Sequence, residues 1–160
     1  MANRIFVEAQ DIEVPQNLCK NAERFLNVVM ERQSYDGEEL SVTFCGDSLI
    51  QELNSQYRNI DAPTDVLSFE NGSSYEDEEG QVWSVMGDII ISMETLKKNA
   101  DYFEVSQNEE LKRLLVHGLL HLHGMDHGEE HVEKGKKPEC EMLCIQEEIL
   151  SAMDAEKIIG

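Results

Sequence analysis

Two histidines four residues apart, a glycine three residues beyond them and a third histidine three further on constrain this chain more than any other feature. They are His117, His121, Gly124 and His127, and all five histidines of the chain fall between 117 and 131. The four-residue spacing puts His117 and His121 on one face of a helix, about one turn and roughly 6 Å of rise apart. Two imidazoles so placed can share one metal ion. A continuing helix would carry a third ligand away, so Gly124 supplies the break and His127 the third nitrogen. Three protein ligands with an open fourth position are the arrangement of catalytic zinc, whereas structural zinc is closed by four ligands. Three imidazoles also suit other divalent ions. His123 lies about 200° round the helix from His121, which makes it a surface or ligand-supporting residue on the far face. His131 lies in an acidic stretch and reads as solvated, and Asp126 could orient a ligand imidazole.

The surrounding pattern reads as a single domain spanning residues 1–160, long enough to bury a core of its own. Arg4 to Glu8 is an opening strand. Pro15 to Gln33 carries Leu18, Ala22, Phe25, Leu26, Val29 and Met30 at helical spacing. Leu40 to Phe44 alternates as a strand, and Asp47 is placed to cap a helix through about Tyr57. Asp65 to Phe69 is a strand, Asn71-Gly72 opens an acidic turn region, and Gln81 to Ser92 is a strand. Its Ile89-Ile90-Ile91 run suits a central, two-sided position. Ser92 caps a helix to about Phe103, and Ser106-Gln107-Asn108-Glu109 is a capping box that starts the histidine helix. A last helix runs from about Pro138 to Met153. Strands and helices that mix without strict alternation predict an α+β fold, a small mixed sheet covered by helices.

No apolar run approaches the roughly 20 residues that span a membrane, and the first residues lack the apolar core of a signal peptide. A cytoplasmic protein is the simple inference. Cys19, Cys45, Cys140 and Cys144 form no Cys-x-x-Cys pair; Cys140 and Cys144, one helical turn apart, read as small core or surface residues unless two further ligands join them at a metal.

The histidine spacing is that of the metzincin metalloproteases, with one change. Those enzymes carry Glu directly after the first histidine as general base, and here that position is Gly118. Losing such a base costs a factor of order 10² to 10⁴, so the ligand geometry is kept while the peptidase mechanism lacks its proton carrier.

Three blocks together resemble one family. His117-Gly118-Leu119-Leu120-His121-Leu122-His123-Gly124-Met125-Asp126-His127 is close to the signature of the YbeY family. So are Leu53-Asn54, Tyr57-Arg58 and Pro63-Thr64-Asp65-Val66-Leu67-Ser68-Phe69, and then Gly87-Asp88-Ile89-Ile90-Ile91-Ser92. The blocks fall in the family's order across roughly residues 40 to 130. The resemblance implies a zincin-like α+β domain that binds one zinc ion through His117, His121 and His127. It implies a single-strand endoribonuclease of rRNA maturation and ribosome quality control, with RNA and ribosomal particles as partners and no role for DNA or membrane. It also implies a functional arginine at Arg58, whose guanidinium could bind a phosphate bidentately. Either a metal-activated water or the RNA's own 2′-hydroxyl could attack phosphorus; the residues do not choose between them.

The net charge of −20, from 13 basic and 33 acidic side chains, opposes loose binding to polyanions. The basic residues that could form a strip for RNA are Arg58, Lys97-Lys98, Lys112-Arg113, and Lys134, Lys136 and Lys137. Two other functions stay open: an assembly factor whose metal is only structural, and a metallopeptidase, which Gly118 opposes.

Overall fold

The computed structural model describes residues 3–125 and 141–159. Five strands and five helices are built as an α+β domain, in the order β1 (Arg4–Ala9), α1 (Leu18–Arg32), β2 (Glu38–Cys45), α2 (Asp47–Arg58), β3 (Val66–Glu70), β4 (Ser74–Glu76), β5 (Val82–Ser92), α3 (Met93–Phe103), α4 (Gln107–Leu122) and α5 (Glu141–Ala152). The predicted small mixed sheet is present. Its order is β1-β2-β5-β3, with β4 pairing β5 off that path. β1, β2 and β5 run parallel, while β3 and β4 pair antiparallel with successive parts of β5.

β5 is therefore the centre of the sheet, as its isoleucine run predicts. Ile89 and Ile91 join the main core, and Ile90 packs in a second cluster with Ile50 and Leu67. Alternation along β5 thus serves both faces, because successive side chains of a strand point to opposite sides. Between β2 and β5 the register slips at Glu39/Leu40, which pair with Val85 and Gly87. Met86 is the extra residue of this bulge. Gly87 takes φ +140° there, and a Cβ on it would collide with the carbonyl oxygen of Phe69.

The six apolar residues of the α1 stripe are all buried, each contributing on the order of 1.5–3 kcal/mol by leaving water, less for Ala22. The helix starts at Leu18 rather than Pro15, because Asn17 adopts the left-handed conformation at φ 70°. Asp47 does not cap its own helix. Gly46 is the N-cap residue of α2 and makes no side-chain cap bond. Instead Asp47 Oδ1 accepts from Ser92 Oγ and Thr95 Oγ1, both at 2.6 Å. Glu94 Oε1 accepts in return from the Asp47 backbone N–H at 2.9 Å, so α3 caps α2 while Asp47 holds the hydroxyls at the start of α3. The acidic turn region holds a short strand, β4, which the charge run conceals. Ser92 and Ser106 cap α3 and α4 as expected, each accepting from the backbone N–H three residues on. The start of α5 before Glu141 lies outside the described residues. Among the described residues no helix is long and apolar enough to cross a membrane.

Candidate metal centre and cleft

α4 carries the site. It packs against β3, β5, α3 and α5, and the contact with β5 is close at Gly118, where a Cβ would lie 2.9 Å from Ile89 Cγ2. Its C-terminus is closed by a Schellman motif. Gly124, at φ +80°, donates to the His121 carbonyl at 3.0 Å, and Met125 donates to Leu120 at 3.1 Å. Gly124 is thus the stop its position predicts.

His117 and His121 are brought together on the face of α4 that borders a cleft of about 600 Å³. Their Nε2 atoms lie 3.1 Å apart, and their rings meet at 72°. Zinc–imidazole bonds are about 2.0–2.1 Å, and a tetrahedral angle between two of them separates the nitrogens by about 3.3 Å. The histidine pair therefore fits one divalent ion. His127, the expected third ligand, lies outside the described residues, as do Asp126 and His131; among the described residues no third ligand-type side chain joins the pair.

Arg58 lines the same cleft. It stands in the last turn of α2, and the loop after it is tied back onto that helix. The buried Asn54 donates from Nδ2 to the Ala62 carbonyl at 2.9 Å, and Gln51 donates to Asp61 at 3.0 Å. Arg58 Nη2 donates to the Ser68 carbonyl at 2.7 Å, and the guanidinium lies 5.1 Å from the Phe69 ring centroid. One of five guanidinium donors is thereby used and the fork is anchored beside β3. No carboxylate among the described residues pairs with it.

A second arginine lines the cleft, already neutralised. Arg113 makes a two-pronged ion pair with Glu110, Nε to Oε1 at 2.8 Å and Nη2 to Oε2 at 2.6 Å. Asp65 Oδ2 lies 3.6 Å from the same guanidinium and also accepts from Asn99 Nδ2 at 2.9 Å. Burial works against the charge on Arg113, but the carboxylates outweigh it and raise its pKa.

Lys112 is not available to a strip for RNA. It is fully buried, and its ammonium binds the Met153 and Asp154 carbonyls and Glu109 at 3.1, 3.3 and 2.9 Å. It caps the C-terminal end of α5. Lys134, Lys136 and Lys137 lie outside the described residues.

His123 does point away from the pair, as helical geometry requires, but it is no surface residue. Its ring stacks on Tyr35 at 3.7 Å between centroids, and Nε2 lies 2.7 Å from Glu38 Oε1. It fastens the end of α4 to the start of β2.

Gln146 escaped the sequence reading. It comes from α5, is fully buried, and its Oε1 lies 2.8 Å from His117 Nδ1. The signal was a polar residue in the buried row Met142, Leu143, Gln146 and Ile149 of α5. Of the cysteines, Cys45 is buried, Cys19 is half-buried and Cys144 is exposed; Cys140 lies outside the described residues.

These features define an α+β protein in which one helix presents a histidine pair to an arginine-bordered cleft. The chain belongs to the YbeY family: the family's model, described as Endoribonuclease YbeY, matches residues 4–154. Among relatives named Endoribonuclease YbeY, that of Treponema denticola is 48% identical over 151 residues, covering 94% of this chain and 93% of the relative. That of Persephonella marina is 36% identical over 152 residues, covering 92% and 90%. The solution structure of TM1509 from Thermotoga maritima is similar with a TM-score of 0.60 at 26% identity, covering 94% of this chain and 89% of that one.

Proposed function

We propose that this chain is a divalent-metal-dependent, single-strand-specific endoribonuclease acting on rRNA precursors, with zinc as the ion and ribosomal particles as the setting. The observation that carries the reading is the 3.1 Å approach of His117 Nε2 to His121 Nε2 in a cleft that Arg58 also lines. The name of the relatives supports RNA as substrate.

In this reading His117, His121 and His127 hold the ion and Arg58 binds the scissile phosphate. When bound, the ion supplies Lewis acidity at a phosphoryl oxygen. Arg58, held at one nitrogen by the Ser68 carbonyl, keeps further donors for the negative charge that builds on phosphate oxygens. Arg113 adds little net charge, since Glu110 and Asp65 neutralise it, and instead shapes the wall. The −20 net charge leaves long-range attraction to RNA weak, so affinity for free RNA is low and falls steeply with salt.

The test is cleavage of single-stranded and duplex RNA by zinc-loaded protein beside His121→Ala, with casein as a parallel substrate. Single strands are cut, and His121→Ala loses both bound zinc and at least 10²-fold of the rate. Full zinc content and full cleavage in His121→Ala would sink the site assignment. Parent protein that binds zinc but cuts nothing would favour an assembly factor, and casein cleavage a peptidase.

A further inference from the structure

The Gln146 carboxamide is placed where an apolar side chain would serve the fold better. The residue is completely buried among Met142, Leu143 and Ile149 of α5. Its Oε1 lies 2.8 Å from His117 Nδ1, while its Nε2 meets no acceptor among the described residues. A buried amide donor without a partner is a standing cost to the folded state. Leucine or methionine would fill a similar volume without it. The contact with His117 is what the amide gains in return.

We propose that Gln146 is a positioning residue that orients His117 for metal binding. A carbonyl oxygen can only accept, so His117 must place its N–H on Nδ1 and present the lone pair of Nε2 to the cleft. That is the nitrogen facing His121. With His117 so fixed, the 3.1 Å contact between the two Nε2 atoms makes His121 the donor in the metal-free protein. Metal-binding histidines are commonly oriented by an acceptor on the second nitrogen, and removing it weakens binding 10–100-fold. Here the acceptor arrives from a different helix, 29 residues downstream, and couples the packing of α5 on α4 to the ring orientation at the site. This inference rests on the metal reading proposed above.

Zinc affinity is measured by competition with a chromophoric chelator for the parent, Gln146→Leu, Gln146→Glu and His121→Ala. Gln146→Leu should bind zinc about 10–100-fold more weakly. Its metal-free melting temperature should stay at or above the parent's, because the stranded donor is gone. Gln146→Glu keeps an acceptor and should bind within about fivefold of the parent or more tightly. A loss smaller than fivefold in Gln146→Leu, with His121→Ala binding abolished, overturns the role of Gln146 and leaves the metal site standing. Unchanged zinc affinity in His121→Ala overturns the site itself. Should Gln146→Leu fail to fold, long-range ¹⁵N–¹H spectra of the metal-free parent decide. They should show His117 with its N–H on Nδ1 and His121 with its N–H on Nε2; His117 carrying it on Nε2 instead refutes the proposal.

Discussion

Gly118 on α4 and Ile89 on β5 approach so closely that a Cβ on the glycine would lie 2.9 Å from Ile89 Cγ2 and 3.2 Å from both Cγ1 and Cδ1. The position where a metzincin carries its glutamate is here the point at which the site helix presses on the sheet. A side chain at 118 would begin inside a stiff, β-branched neighbour. Gly118→Ala gains about 1 kcal/mol of helix propensity and loses about 1–3 kcal/mol to overpacking. We predict a net loss of roughly 1 kcal/mol in urea unfolding, and a larger loss with no gain of peptidase activity for Gly118→Glu. Adding Ile89→Ala should relieve part of the Gly118→Ala penalty, a coupling of at least about 0.5 kcal/mol. Strictly additive effects would mean that the helix stands off from the strand.

Arg58 and Lys112 are both basic, but only one can meet a phosphate. Arg58→Ala should lower RNA cleavage by about 10²–10³-fold, and it should reduce the slope of log affinity against log salt by about 0.7 for a single strand. Arg58→Lys, which keeps the charge and loses the fork, should recover only part of the rate. Lys112→Met should leave that salt slope unchanged while lowering stability by about 1–3 kcal/mol, since the carbonyls at the end of α5 lose their donor. A salt slope that responds to Lys112→Met would put this lysine back on the RNA surface.

The carboxylate of Asp47 has a pH signature. Burial pushes its pKa up, but the hydroxyls of Ser92 and Thr95 and the ammonium of Lys98 outweigh that, and its pKa lies below the ordinary aspartate value. A depressed folded-state pKa adds stability above the unfolded value and loses it as pH falls through the folded one. Asp47→Asn should therefore be less stable than the parent by about 1–2 kcal/mol near pH 7. The gap should close progressively below about pH 4. A gap that is constant down to pH 2 would assign the loss to shape rather than charge.

Cys45 offers a probe of opening. Burial first, and the neighbouring Asp47 carboxylate next, raise its thiol to about 11. At pH 8 only about one thiol in 10³ is then thiolate, the reactive form. Labelling of Cys45 by iodoacetamide should be negligible in the native protein and rise steeply across the urea transition. Rapid labelling at pH 8 without denaturant would mean that α2 detaches from the sheet on its own.

Much of this architecture is written in local pattern. The α1 stripe, the isoleucine run of β5 and the serine caps are local devices, and each lies where its spacing places it. The pairing of His117 with His121 and the stop at Gly124 are helical geometry and were equally legible. What escaped depends on partners distant in sequence. Asp47 looked like a cap for its own helix but bonds across to Ser92 and Thr95, some 45 and 48 residues away. Lys112 looked available to RNA because its partners, the carbonyls of 153 and 154, come 41 and 42 residues later. β4 is three exposed residues and carries no hydrophobic period at all. Gln146 and His123 act through contacts 29 and 85 residues away, which no window along the chain could report.

The downstream origin of Gln146 also sets an order in time. A chain made from its N-terminus contains both histidines before the residues of α5 are added. At about 5–20 residues per second, the 29 residues from His117 to Gln146 take about 1.5–6 s to add. During that interval His117 is present without the carbonyl that selects its tautomer. His117 is thus made before the carbonyl that orients it, and its ring stays unprimed until α5 docks.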